Sequence, residues 1–270
     1  METVNFVRDG HVGWVRLNRP EKLNSFTIAM WEELRELGET LVADPDLRAV
    51  VVIGEGRAFS SGIDTSVFTD ASSSLAVHDD PRWAHADPTV RFILRTQRAF
   101  SWCEDAPFPT IAAVHGYALG GGLQLALACD LRLFARSAKV GLLETKYGIL
   151  PDLGGTQRLP RVVGPGKAKE LIFTAAIIDA EESLRIGLAE RVVDDDALEA
   201  EAGALASKIA SQPPIAIRGA KRAVDASRTL AIADGLRFEA EQQAPCMQSS
   251  DRIEAVMAGV EGREPRYQGR

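Results

Sequence analysis

A chain of 270 residues, 46% apolar and 26% charged, is long enough to bury a core without metals or disulfides. Its net charge of −7 excludes a polyanion-binding surface but leaves room for a small anionic ligand held by local basic groups. Three widely spaced cysteines, a start (METVNFVRDG) without a basic segment and apolar core, and apolar runs far below bilayer length lead us to expect a cytoplasmic protein.

The alternation in VGWVRL, residues 12–17, reads as a half-buried strand, and NRPEKLN follows as a turn. From Ile28 to about Ala43, Met30, Leu34, Leu37 and Leu41 recur at helical spacing, with Thr27 as N-cap. AVVVI, Ala49 to Ile53, is a continuous apolar run suited to a sheet covered on both faces, and GEGRAFSSG then makes a glycine-rich turn. Residues 69–90 are polar, aperiodic and rich in serine and proline, so we expect a long surface loop feeding a helix near 90–103.

TIAAV, Thr110 to Val114, is a second buried strand, followed by GYALGGG and a helix over 122–129. DLRLFA and KVGL are further short strands. Beyond about 154 the pattern is helical: 154–161, 166–175, 180–186, 197–211, 213–227, 230–245 and 250–260. The strand–glycine turn–helix unit occurs at 49–66 and again at 110–129, which predicts a layered α/β core with a helical C-terminal quarter.

A strand that ends in glycines and enters a helix exposes unpaired backbone N–H groups at a positive helix end. Such a turn can bind a phosphate, hold a carbonyl oxygen that gains charge during reaction, or be a tight turn and nothing more. GYALGGG fits neither the P-loop nor the dinucleotide fingerprint, because its glycines are contiguous and no Lys-Ser/Thr follows. GRAFSSGID, Gly56 to Asp64, is a second such turn after a buried strand. Two of them on neighbouring parallel strands can aim one N–H each at a single oxygen.

Taken with VRLNRPEKLNSF, IAAVHGYALGGG, ACDLRL, ILPDLGGTQRLPRVVG, GLAERVV and the tail EGREPRYQGR, these turns make the chain resemble the enoyl-CoA hydratase/isomerase (crotonase) superfamily nearly end to end. The resemblance implies a spiral of repeated β-β-α units over residues 1–199, and a helical region over 200–270 that packs subunits into a homotrimer or a dimer of trimers. It also implies an acyl-CoA substrate, no cofactor beyond the CoA moiety, and no metal, nucleic acid or membrane partner.

Carried over position by position, the oxyanion hole is formed by the N–H groups of Ile63 and Gly121. The CoA contacts fall on Lys22, Leu23, Arg57, Ser61 and Gly62, with Arg263 and Tyr267 approaching a neighbour's CoA site. Glu144, in GLLETKYG, matches an acid/base glutamate. Gln124 stands where hydratases have a second glutamate; an amide orients water but cannot take its proton. Asp152 stands where hydratases have glycine, and resembles the aspartate of dienoyl-CoA isomerases; those isomerases have a further aspartate at the Gln124 position, so the chain matches neither pattern fully.

The expected reaction is therefore double-bond isomerisation with Glu144 and Asp152 as acid and base, or with Glu144 alone as a proton shuttle. The alternatives are hydration of a 2-enoyl-CoA by Glu144 with Gln124 holding water, and acyl-CoA binding without turnover. Asp152 also reads as a helix cap. His115 reads as a buried, hydrogen-bonded histidine, His78 and His85 as solvated loop residues, and Asp194 to Asp196 as a solvent face.

Overall fold

Strand β1 (Val4–Asp9) pairs antiparallel with β2 (Val12–Leu17), which then lies parallel to β3 (Ala49–Gly54). The computed structural model to which these strands belong describes residues 1–69 and 81–270. Of the loop expected over 69–90, residues 70–80, including Ser72 to Ser74 and His78, lie outside the described residues. The remaining strands are β4 (Thr110–Val114), β5 (Tyr117–Leu119), β6 (Leu131–Ala135), β7 (Lys139–Gly141), β8 (Ile178–Asp179) and β9 (Arg191–Val193). Among the described residues the larger sheet runs β1-β2-β3-β4-β6-β9, parallel from β2 onward, and a smaller one runs β5-β7-β8. The two glycine-ended strands, β3 and β4, are thus parallel neighbours, as the turn argument requires.

The helices are α1 (Ile28–Val42), α2 (Ser66–Thr69), α3 (Pro88–Asp105), α4 (Gly121–Ala128), α5 (Gly155–Val163), α6 (Pro165–Thr174), α7 (Ala180–Arg185), α8 (Leu198–Ala210), α9 (Pro214–Ala226), α10 (Ile232–Gln248) and α11 (Ser250–Glu261). Thr27 caps α1 as expected, its side chain accepting from the Met30 amide. α3 begins slightly earlier than expected, because Asp87 caps it and Pro88 supplies a first-turn residue with no N–H to satisfy.

β3 is buried at all six positions, and its side chains alternate between two apolar clusters. Val50 and Val52 belong to one cluster with Met30, Leu34 and Phe100, and Val51 and Ile53 to the other with Leu198, Ala202 and Ala206. A sheet covered by helices on both faces needs apolar residues at every position, which accounts for AVVVI. The expected division at 199/200 falls inside α8, whose alanines lie against the sheet.

α9 is tied to the core by Lys221 Nζ, which donates to Cys103 O, Phe108 O and Asp130 Oδ2 at 2.9, 3.1 and 2.9 Å. α10 buries no residue, and Ile232, Leu236, Val256 and Val260 on α10 and α11 are exposed, Ile232 at 81% and Val260 at 80%. No described helix is long and apolar enough to cross a membrane.

Candidate active site

Three turns converge at the ends of β2, β3 and β4, and hydrogen bonds stitch them together. The first, after β2, contains left-handed Leu23 and Asn24, at φ 50 and 53. The buried Asn24 amide fixes this turn by accepting from Arg19 N at 2.8 Å and donating to Glu55 O and Ala58 O at 2.9 and 2.8 Å. The second turn follows β3. Ser61 N donates to Leu23 O at 2.9 Å, joining the second turn to the first. Ser60 N donates to Tyr117 O, and Leu119 N to Ser60 O at 3.0 Å, joining it to β5 and the third.

Ile63 sits at the centre of a parallel bridge to Phe26. The bridge is made by its neighbours: Phe26 N donates to Gly62 O at 2.7 Å, and Asp64 N donates to Phe26 O at 2.9 Å. The N–H of Ile63 itself therefore points away from Phe26. Gly121 is the first residue of α4, so its N–H has no intrahelical acceptor. Among the described residues neither amide donates to another protein atom.

The glycines account for the fit. Gly120 adopts φ 51 and ψ −120, which disfavours any residue with a side chain, and a Cβ there would come 3.2 Å from Glu144 Oε1. A Cβ on Gly122 would lie 2.5 Å from Ser60 O, and one on Gly62, at φ 99, would lie 2.7 Å from Leu119 O. Three consecutive glycines let the helix entrance lie directly against the second turn.

These turns line a cavity of 160 Å³ that includes Gly62, Ile63, Gly120, Gly121 and Glu144, with Leu119, Leu143, Tyr147 and Ile149 as its apolar wall. Glu144 opens a short 3-10 turn after β7 and is only 4% exposed. Its Oε1 accepts from Gln124 Nε2 at 2.6 Å, whereas its Oε2 is buried without a hydrogen-bond partner among the described residues. Burial pushes the Glu144 carboxyl above its ordinary 4.5; the hydrogen bond from Gln124 opposes this and the charge of Asp152 adds to it.

Gln124 is fully buried. Its Oε1 accepts from Gly155 N at 2.9 Å, and because a backbone N–H can only donate, that bond fixes which end of the amide faces Glu144. Gln124 does not belong to the cavity wall. Its amide joins Glu144 to the start of α5.

Asp152 also stands outside the cavity lining, close enough to Glu144 for its charge to be felt. Burial raises its own pKa. It does not cap α5, whose N-cap is Gly154 without a side-chain bond. Its segment is held through the backbone, with Gln97 Nε2 donating to Asp152 O at 2.6 Å and buried Arg158 donating from Nη1 to Leu153 O at 2.9 Å.

Of the residues expected to meet CoA, Leu23 and Ser61 are in direct register, and Ser61 Oγ lies 3.4 Å from Lys22 O. The Lys22 and Arg57 side chains are exposed; the turn carrying Arg57 abuts the first, since a Cβ on Gly56 would fall 2.7 Å from Pro20 Cβ. His115 is half-buried with Nε2 at 3.0 Å from Gly56 O, and His85 is exposed. Asp194 to Asp196 are exposed, with Asp195 accepting from Ser137 N.

In the tail, Arg263 is bound within its own chain by Glu254 and Glu261, and Tyr267 O accepts from Arg48. Sequence reasoning passed over Arg19, Asn24 and Asp64, although they lie inside the motifs quoted above. It had no signal for Gln97.

Two amides without a protein acceptor among the described residues, on residues that line one cavity with a buried carboxylate, are an arrangement that can stabilise an enolate or related oxyanion. Comparison with known proteins agrees. Residues 8–270 match the model of the enoyl-CoA hydratase/isomerase family, and the chain belongs to that family, as an enzyme of the crotonase superfamily. A probable enoyl-CoA hydratase of Mycobacterium bovis is 37% identical over 268 residues, 98% of each chain. The mouse mitochondrial Delta(3,5)-Delta(2,4)-dienoyl-CoA isomerase is 38% identical over 257 residues, 94% of this chain and 78% of that one. The crystal structure of an enoyl-CoA hydratase from Bacillus anthracis superposes with a TM-score of 0.88 at 37% identity, covering 99% of this chain and all of that one.

Proposed function

We propose that the enzyme moves a double bond along an acyl-CoA thioester. The observation that carries this reading is the Gln124–Glu144 hydrogen bond. It engages one carboxylate oxygen of Glu144, while the far end of the amide is tied to Gly155 N, and leaves Glu144 Oε2, among the described residues the one carboxylate oxygen of the cavity wall without a partner, to meet a substrate proton.

In this mechanism the thioester carbonyl lies between the Ile63 and Gly121 amides. Glu144 Oε2 takes a proton from the acyl chain, the electron pair passes through the conjugated system onto the carbonyl oxygen, and the two N–H groups hold that enolate. Each such donor is typically worth about 2.7–4 kcal/mol to the transition state. The same carboxyl returns the proton further along the chain, and burial, with the charge of Asp152 adding to it, keeps its proton affinity high. A raised carboxyl pKa suits a group that must both accept and release a proton near neutrality.

CoA is proposed to lie along Lys22, Leu23, Arg57 and Ser61, and the exposed apolar face of α10 and α11 to pack copies of the chain into a trimer. Hydration is the second reading, favoured by the hydratases among the relatives. It requires Glu144 to handle both proton steps without a second glutamate.

The deciding experiment offers 2-enoyl-, 3-enoyl- and dienoyl-CoAs in heavy water and follows absorbance together with deuterium uptake. Band changes with deuterium incorporation and no added water support isomerisation, and Glu144→Gln abolishes the uptake. Uptake retained in Glu144→Gln removes this residue from the mechanism, and net water addition selects hydration.

A further inference from the structure

Among the described residues the Ile63 amide has no acceptor of its own, so its direction is set by its neighbours. On one side Gly62 is fixed through its carbonyl to Phe26. On the other side stands Asp64, whose carboxylate is fully engaged. Oδ2 accepts from Arg19 Nη2 at 3.0 Å and from Ser25 Oγ at 3.1 Å, while Oδ1 accepts from Ser66 N at 3.0 Å, the first residue of α2. Arg19 Nη1 closes the arrangement by donating to Ser25 O and Oγ. The ion pair is largely shielded, with side-chain exposures of 17% for Arg19 and 16% for Asp64.

We propose that Arg19, Ser25 and Asp64 form a positioning clamp that aims the Ile63 N–H at the thioester oxygen and locks this aim to the turn expected to carry CoA. The inference rests on the oxyanion reading of Ile63 and Gly121 and adds to it the residues that hold one of the two donors in place. None of the three touches the reacting atoms. Their effect passes through the backbone of residue 64, where one peptide unit separates the carboxylate's Cα from that of Ile63. That unit carries the Asp64 N–H, bonded to Phe26 O, while the Ile63 N–H belongs to the preceding Gly62–Ile63 unit, whose carbonyl accepts from Phe26 N. Releasing Asp64 therefore acts by letting the Ile63 Cα shift, which tilts the Ile63 N–H off target without emptying the cavity. Misplacement of a reacting or stabilising group by about 1 Å can cost about 10²-fold in rate.

A structural ion pair would cost stability alone, whereas the clamp changes how strongly the carbonyl is polarised. The test binds cinnamoyl-CoA, a conjugated thioester whose near-ultraviolet band moves to the red when its carbonyl oxygen accepts strong hydrogen bonds, to Glu144→Gln protein, in which turnover is suppressed. Asp64→Ala in that background is expected to lose at least half of the red shift. In the Glu144-intact chain it is expected to lower kcat by about 10–100-fold, with KM changed far less. Arg19→Lys, which keeps a cation but not the fork, should lose only part of both.

Absence of any red shift in the parent overturns the oxyanion reading itself. A parent shift that persists undiminished in Asp64→Ala leaves the oxyanion hole standing and refutes the clamp. Should Asp64→Ala fail to fold, Ser25→Ala, which removes one neutral hydrogen bond, replaces it. A partial loss of the shift there upholds the clamp, and an unchanged shift in both Ser25→Ala and Arg19→Lys refutes it.

Discussion

Replacing Gln124 by glutamate changes one atom type and no shape, yet it places a second carboxyl against Glu144. The existing contact is 2.6 Å and lies in a fully buried position. Two unit charges at that distance repel by about 6 kcal/mol even at an effective dielectric constant of 20. That is comparable with the whole stability of a typical domain, about 5–15 kcal/mol. The pair must therefore keep one proton at neutral pH and titrate as a unit.

A carboxyl whose folded pKa lies above its unfolded value supports the fold below the unfolded value and loses that support as pH rises. Gln124→Glu should accordingly melt close to the parent at about pH 4–5 and fall progressively behind it toward about pH 8. Each kcal/mol lost should appear as a drop of roughly 2–4 °C in Tm. The Gly155 N–H still finds an oxygen in the variant, so the pH-dependent gap isolates the carboxyl–carboxyl contact. Thermal unfolding followed by circular dichroism over that pH range is sufficient. Parallel curves for parent and variant would mean that the two side chains do not meet, and the reasoning about Glu144 Oε2 would fall with the contact.

Because burial raises the Glu144 pKa and Asp152 adds to it, the rising limb of kcat/KM against pH should lie above the ordinary value of 4.5. Asp152→Asn should move that limb to lower pH while leaving deuterium exchange detectable; an unmoved limb would dissociate Asp152 from Glu144. Gly122→Ala forces a Cβ to 2.5 Å from Ser60 O and should destabilise by about 1–3 kcal/mol, read as a lower Tm and weaker cinnamoyl-CoA binding; a neutral result would mean that the second turn does not lie against α4.

The elements that were legible are those whose stability is decided locally. α1 announces itself by Met30, Leu34, Leu37 and Leu41 at helical spacing and by the Thr27 cap. β3 shows itself because both its faces are buried, leaving no polar position to interrupt the run. β1, in contrast, is an edge strand with a largely exposed surface, and VNFVRD carries no clean period. β5, β8 and β9 are two or three residues long, too short for any pattern, and exist because neighbouring strands offer them partners.

The same distinction divides the site. The glycines of the two turns were visible as composition, since a backbone that must approach another closely leaves a mark in the sequence. The bond from Gln124 to Glu144 leaves none. An amide in place of an acid reads as a loss until the fold brings Gly155 N to its other end. Asp64 and Arg19 each look like ordinary surface charges, and only the pairing of turns far apart in the chain makes them a unit.

Ser60 lends its peptide group to β5 on both sides, so the loop that carries Ile63 and the strand that leads to Gly121 are bound by the same kind of ladder that builds a sheet. Neither donor can be swung out on a hinge without tearing main-chain bonds. In the proposed mechanism substrates therefore meet a pre-set receptor for their carbonyl, and adaptability toward different acyl groups comes from the walls beyond it.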